Sequence, residues 1–341
     1  MVSIKNFTTL GGTASDIKVA KVAHGLMKLT GTPDEVAFEA IKAGVDALPP
    51  GVKMFLNSGE FYAPDLGPGN LELLSRFFEK YPEYAERTFL SVKGAGLPNS
   101  ISQFDSSPKN LKRSIDTVTK ALRGKKKIDL FQCARVDPNI PVEEAIKNLK
   151  VFIDEGVIDH IGISECGAAT LRRANAVYPI SVVEIEISPW SYEDETKKVL
   201  ATAEELGIAV AAYAPLGNGF LTGSIKSPED IPEGDFRRHF NRFQPENFQH
   251  NFLIVEKLKN VAEKKGVTPA QLCIAWVGSL GEKVLPLPGS SRKERTLENL
   301  AGGDVELTSE EKADIDKIIN EFEVKGSRYM GTDPKALLLW G

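Results

Sequence analysis

The chain is predicted to be an α/β protein built as a closed (β/α)8 barrel of the TIM type. Three observations carry this. Short apolar runs alternate with longer amphipathic ones from residue 20 onward, the mark of repeated βαβ units with parallel strands. Eight such runs fall within 341 residues, the right number and length for a barrel. The competing architecture, an open doubly wound sheet, would carry a Gly-x-Gly-x-x-Gly turn after its first strand, and that turn is absent.

The strands are expected at Val22–Gly25, Met54–Ser58, Phe89–Lys93, Ile128–Cys133, Ile161–Ser164, Val182–Ile187, Ala209–Ala214 and Val284–Leu287. Helices are expected at Asp34–Ala47, Asn70–Tyr81, Pro108–Leu122, Pro141–Glu155, Ala168–Val177, Glu193–Leu206 and Asn251–Lys265, with a further pair at Pro269–Leu280 and Ser291–Leu300 beside the last strand. Ser107-Pro108 and Thr268-Pro269 place a capping hydroxyl before a proline at the first helical position. Gly156, Gly207 and Gly266 stand where helices end and a left-handed residue is needed. The opening segment, with its Gly11-Gly12 turn signal, reads as a hairpin closing the barrel bottom. Residues after Glu321 read as a tail crossing the surface. No linker or low-complexity tract divides the chain, so residues 1–341 are expected to form one domain.

Composition narrows the function classes. A net charge of −5 argues against a general nucleic-acid binder. No apolar run approaches the roughly 18–20 residues of a membrane span, and MVSIKNFTTLGG lacks the apolar core of a signal peptide. Cys133, Cys166 and Cys273 are odd in number and without metal-ligand spacing, which suits a reducing cytoplasm; the nucleus is also compatible. No metal is implied.

In a barrel of this kind the chemistry gathers at the carboxyl ends of the strands. Those ends read Gly25, Asn57 with Tyr62, Lys93, Cys133-Ala134-Arg135, Ser164-Glu165, Glu184 with Glu186, Tyr213 and Gly289-Ser290. A phenol is a weak acid at neutral pH. An ammonium beside it stabilises the phenolate. Tyr62 next to Lys93 therefore suits proton donation to a carbonyl oxygen. Phe61, Phe131, Trp190, Tyr192 and Phe220 lie in or near the strand-end loops and are candidates for an aromatic slot; Phe61, Phe131 and Trp190 are taken as the substrate contacts. The long segment Ile231–His250, with Arg237, Arg238, His239 and Arg242, reads as a lid over the mouth. Cys133 and Cys166 fall near the mouth and are expected to serve packing.

Several segments resemble the aldo-keto reductases: MFLNSGEFY (54–62), IDLFQCARVDP (128–138), GISE (162–165), VEIEIS (183–188), AAYAPLGNGFLTG (211–223), VTPAQLCIAW (267–276) and LPLPGSSRKERTLENL (285–300). The resemblance covers residues 10–320, and Asn57, Phe-Gln-Cys-Ala-Arg and Val-Glu-Ile-Glu together most resemble the fungal pyridoxal reductase branch. It implies NADPH stretched across the barrel mouth. Carried over by position, Ser164, Glu165 and Glu184 hold the nicotinamide carboxamide and Tyr213 stacks on its ring. Leu216 and Gly217 approach the pyrophosphate. Gly289, Ser290, Arg292 and Arg295 take the 2′-phosphate end, where a helix start favours anions and Arg forks match phosphate. Glu298 and Asn299 hold adenine.

Two departures stand out. The family's tetrad is Asp, Tyr, Lys and His; here Asn57 replaces the Asp and Ala134 the His. Asn57 can hydrogen-bond Lys93 but cannot neutralise it, so the lysine is expected either to act more strongly on Tyr62 and favour phenolate or, less firmly held and buried, to lose its own proton. Gln132 is a substitute for the missing His only if it faces inward, and the strand alternation is read as turning it outward. The function implied is NADPH-dependent reduction of an aldehyde, pyridoxal to pyridoxine foremost, or a broader range of aromatic aldehydes, by a monomer acting on a small molecule. The alternative is a non-catalytic NADPH-binding regulatory protein of the same fold.

Overall fold

The computed structural model describes residues 4–100, 102–330 and 338–341. A short antiparallel pair, β1 (Phe7–Thr9) and β2 (Lys18–Ala20), precedes eight parallel strands. These are β3 (His24–Gly25), β4 (Met54–Gly59), β5 (Thr88–Gly94), β6 (Ile128–Cys133), β7 (Ile158–Ser164), β8 (Val182–Glu186), β9 (Ala209–Tyr213) and β10 (Val284–Leu287), hydrogen-bonded in sequence order. The ring closes between first and last: Ala23 N–H donates to Pro286 O at 2.9 Å and Gly25 N–H to Pro288 O at 3.0 Å. The barrel expected from the alternation is the barrel found.

Around it lie α1 (Asp34–Asp46), α2 (Gly69–Lys80), α3 (Pro108–Leu122), α4 (Val142–Asp154), α5 (Ala168–Val177), α6 (Asp194–Leu206), α7 (Pro245–Lys265), α8 (Pro269–Gly278), α9 (Lys293–Gly302) and α10 (Ser309–Glu321). The cap signals act as read. The Ser107 hydroxyl accepts from Asn110 N–H, the Thr268 hydroxyl from Gln271 N–H, and Gly207 and Gly266 close their helices at positive φ. Helix α7 starts at Pro245, six residues before the expected Asn251, because that proline again fits a first helical turn. Helix α10 was not expected; its start is a reciprocal box between Thr308 and Glu311. None of the helices in the described residues is long and apolar enough to cross a membrane.

Strand periodicity builds two cores. Phe55, Phe89, Leu130, Val182, Ala209, Ala211, Leu285 and Leu287 fill the barrel interior, joined from below by Leu10, Ala14 and Val19 of the opening hairpin. The residues of opposite parity pack outward under the helices. The hairpin does close the bottom: Gly11 N–H donates to Ser181 O at 3.0 Å. A Cβ on Gly11 would lie 2.4 Å from Gly207 O, so no side chain fits there.

The last segment runs over the surface as expected, with Glu323, Lys325, Gly326 and Met330 exposed, but it also reaches the barrel mouth, where Arg328 is buried.

Candidate active site

Above the apolar interior, the inward positions of the strands turn polar. Asn57 on β4, Ser91 and Lys93 on β5, Gln132 on β6, Ser164 on β7 and Glu184 on β8 are all buried. Register explains the gathering: Lys93 pairs with Gln132 and Ser164 with Glu184 across neighbouring strands. The alternation therefore turns Gln132 inward, not outward, and sends Phe131 to the helix side.

Lys93 Nζ donates to Asn57 Oδ1 at 2.9 Å and forms a buried ion pair with Glu184 Oε1. Asn57 Nδ2 donates to Glu184 Oε2 at 2.7 Å, and Gln132 Nε2 donates to the same oxygen at 2.7 Å. The amide orientations follow from their partners, since an ammonium only donates and a carboxylate only accepts. Lys93 thus has a counter-charge, which corrects the expectation that Asn57 leaves it without one. Burial pulls the ammonium toward losing its proton; the Glu184 carboxylate and the Tyr62 phenol outweigh this and hold its pKa above the ordinary lysine value.

Tyr62 sits over this group, with Lys93 Nζ 5.4 Å from its ring centroid. Two features set it there. Glu60 N–H donates to Lys93 O at 2.8 Å, and the Glu60 carboxylate is tied to Arg113 and to the Ser114 hydroxyl of α3. Gly59 lets the ring lie back on the chain, because a Cβ at that position would come within 2.8 Å of it. Burial raises the phenol pKa above the ordinary tyrosine value; the Lys93 charge opposes the rise and Glu184 adds to it. The net shift is upward, so the expected drift toward phenolate does not occur. Tyr62 keeps its proton at neutral pH and is available as an acid.

Ala134 is buried where the resemblance calls for His. Its neighbour Arg135, half-buried, stands near enough to Tyr62 for its charge to favour the phenolate. Arg135 is a cation at the site to which the sequence reading gave no role, although it was visible at the end of β6.

Glu165 and Tyr213 meet the tail. Glu165 adopts a left-handed φ of +53° at the end of β7, and its Oε2 lies 3.3 Å from Arg328 Nη2. Arg328 Nη1 lies 3.3 Å from Glu186 Oε2. Glu186 Oε1 accepts from Ser191 Oγ, which accepts in turn from Arg242 Nη1 at 2.6 Å. Burial lifts Glu186 above the usual carboxylate range despite Arg328 and Arg242. The Tyr213 and Tyr329 hydroxyls are 2.6 Å apart. Two carboxylates at the mouth thus hold the tail cation, which is why Arg328 is buried while Gly326 and Met330 beside it are exposed.

The remaining predicted residues divide. Phe61 lies at the mouth, edge-on to Tyr62 and to Phe104. Phe131 does not: a Cβ on Gly94 would touch both its ring and Ser114 Oγ, which places it against α3. Trp190 is buried beneath the segment 231–243, stacked on Phe220 at 4.5 Å and edge-on to Phe243. Both are corrected from slot to core. The segment expected as a lid consists of short turns at Phe236–His239 and Asn241–Phe243 before α7 begins. In it Arg242 is buried, and Arg237 bonds Asp235 and donates to Asn218 O at 2.8 Å. Cys133, Cys166 and Cys273 are buried, and burial pushes the Cys133 thiol up to about 12. They are packing groups.

A dinucleotide would meet a suitable surface. The buried acceptors Gln132 Oε1 and Glu165 Oε1 lack a hydrogen-bond partner, and a carboxamide NH2 could satisfy such groups. Leu216, Gly217 (φ +56°) and Asn218 (φ +55°) form a turn after β9. Arg292 and Arg295 are exposed around the first turn of α9, where backbone N–H groups and the helix dipole favour an anion. Asn299 is buried and Glu298 half-buried one turn further. Gly289 is exposed, while the Ser290 hydroxyl is spent internally on His24 and Thr296.

The model of the aldo/keto reductase family matches residues 21–320. The chain is 36% identical over 321 residues to a protein of Schizosaccharomyces pombe named probable pyridoxal reductase 2, covering 92% of this chain and 95% of that one. It is 38% identical over 265 residues to another S. pombe protein, an aldo-keto reductase whose name carries NADP(+), covering 76% and 77%. A solved glycerol dehydrogenase of Gluconobacter oxydans shares the fold, with a TM-score of 0.77 at 22% identity over 96% of this chain and 98% of that one.

Proposed function

This chain belongs to the aldo/keto reductase family of oxidoreductases, and from that premise we propose that it reduces an aldehyde with NADPH, pyridoxal foremost. The observation that carries the reading is the Tyr62 ring at the barrel mouth with Lys93 Nζ 5.4 Å from its centroid and the lysine paired to Glu184. When bound, the reduced nicotinamide supplies a hydride to the carbonyl carbon. Tyr62 gives its phenol proton to the carbonyl oxygen as the alcohol forms, and Lys93 stabilises the phenolate left behind until solvent returns the proton. Ser164 and Glu165 are the groups to orient the carboxamide and Tyr213 the ring. The turn at Leu216 and Gly217 faces the pyrophosphate, Gly289, Ser290, Arg292 and Arg295 the 2′-phosphate end, and Glu298 and Asn299 the adenine. Phe61 and Phe104 offer aromatic edges beside Tyr62 for a flat ring. Pyridoxal is favoured by the name of the S. pombe relative.

The test is NADPH oxidation followed at the nicotinamide absorbance, with pyridoxal and with nitrobenzaldehyde. Turnover with pyridoxal well above the plain aldehyde is expected. Turnover with nitrobenzaldehyde alone would remove the substrate assignment, and none with either, with NADPH bound, would leave a binding protein. Tyr62→Phe is expected to lower kcat by about 10²–10⁴-fold, the scale of general acid catalysis, with NADPH affinity unchanged; joint loss of binding would make Tyr62 structural.

A further inference from the structure

We infer that the carboxylate serving Lys93 has moved across the barrel, from position 57 on β4 to Glu184 on β8, and that Asn57 and Glu184 are two halves of one exchange. The inference rests on the reading of Tyr62 and Lys93 given above. It makes Glu184 a positioning residue acting through Lys93, where the resemblance had made it a contact of the nicotinamide.

The hydrogen bonds argue this atom by atom. Glu184 has no oxygen to spare: Oε1 takes Lys93, and Oε2 takes both Asn57 Nδ2 and Gln132 Nε2. Asn57 has its acceptor on Lys93 and its donor on Glu184. Only a side chain with one acceptor and one donor can bridge an ammonium and a carboxylate in this way. Aspartate at 57 would set a second carboxylate 2.7 Å from the first, and both could not stay ionised. Asn57 therefore fits a carboxylate at 184 where an ionised Asp would not. Glutamine at 184 beside Asn57 would leave a buried ammonium with no counter-charge, which such sites do not tolerate. The charge count at the centre is one cation and one anion either way; only the strand that supplies the anion differs.

The exchange predicts a sign that single substitutions cannot show. Glu184→Gln is expected to lower kcat by on the order of 10²-fold, with the basic limb of the kcat pH profile moving to lower pH as the buried Lys93 sheds its proton more easily. Asn57→Asp alone is also expected to lower kcat. The double variant N57D/E184Q is expected to recover at least ten-fold of the single loss and to return the basic limb toward its starting place. Additive losses in the double variant would overturn the inference, as would an unchanged pH profile in Glu184→Gln. The second readout needs no turnover: the Lys93 side chain, followed by its ¹³Cε shift, should hold its charge to higher pH in the wild type and in N57D/E184Q than in E184Q. Equal titration in wild type and E184Q would also defeat the exchange. Should the wild type turn over no aldehyde, the proposed reaction fails by itself and the lysine titration still decides this point. If E184Q does not fold, the wild type against N57D/E184Q decides it, a double variant with Lys93 uncharged at neutral pH counting against.

Discussion

Two buried charge centres share the mouth of this barrel, and they are built differently. The Lys93 centre draws Asn57, Gln132 and Glu184 from strands and Tyr62 from the loop after β4, and it leaves one acceptor, Gln132 Oε1, without a partner. The Arg328 centre sets a tail cation between Glu165 and Glu186, at 3.3 Å from each, and leaves Glu165 Oε1 without a partner. The first is held by the sheet and sets one cation against one carboxylate. The second sets one cation against two carboxylates and takes it from a segment with no helix or strand of its own. Placement on strands suits a group that must hold a proton in a fixed position, while two buried carboxylates on one cation are sensitive to its loss.

The largest effect that would break this contrast is loss of Arg328. Arg328→Leu leaves two buried carboxylates facing each other and is expected to cost about 3–5 kcal/mol, less whatever the tail recovers by undocking and admitting water. Chemical denaturation measures it. The pH dependence has a definite sign. Glu186 already binds its proton more tightly than an ordinary carboxylate, and loss of Arg328 raises that further. A carboxylate whose folded pKa is raised contributes stability at acid pH that is lost as pH climbs from the unfolded carboxylate range through the folded value. The variant should accordingly be closer to wild type at pH 5 than at pH 8, and equal deficits at both would show that Glu186 is not the group left exposed. A smaller effect is expected from Tyr329→Phe. It removes the partner of the half-buried Tyr213 hydroxyl, at about 1 kcal/mol if no water replaces the bond, and the accompanying readout is the NADPH dissociation constant, since Tyr213 is the proposed ring contact. The smallest sharpens the boundary between mouth and core. Phe131→Leu is expected to cost about 1 kcal/mol of stability with KM for aldehyde unchanged, whereas Phe61→Leu should raise KM and leave stability nearly alone. A KM effect at Phe131 would return that residue to the substrate slot.

The sequence reading reached the first centre far better than the second. Position at the carboxyl ends of the strands brought Asn57, Lys93 and the loop residue Tyr62 to one mouth. Alternation along the strands held the answer for two residues read wrongly. Lys93 and Gln132 are register partners, so if one faces in, the other does too, and Phe131 between Leu130 and Gln132 must face out. Counting parity from Lys93 would have fixed both. Helix α10 was likewise legible in its Thr308-x-x-Glu311 signature. The ion pair of Lys93 with Glu184 was not, because it spans the barrel between strands that are not neighbours, and no periodicity reports such a contact. The tail gives no local signal at all. What pointed to it was indirect: Glu165 and Glu186 are carboxylates at the ends of β7 and β8, and such a pair, once buried, needs a cation.

The separation of those partners has a consequence for synthesis. Arg328 lies 163 residues after Glu165 and 142 after Glu186. A chain emerging from the ribosome presents all eight barrel strands before that arginine appears. Throughout that interval the two carboxylates must remain hydrated or protonated, and the mouth must stay open. Both carboxylates are thus synthesised before the cation that neutralises them, and their burial depends on a side chain that reaches them late in the chain.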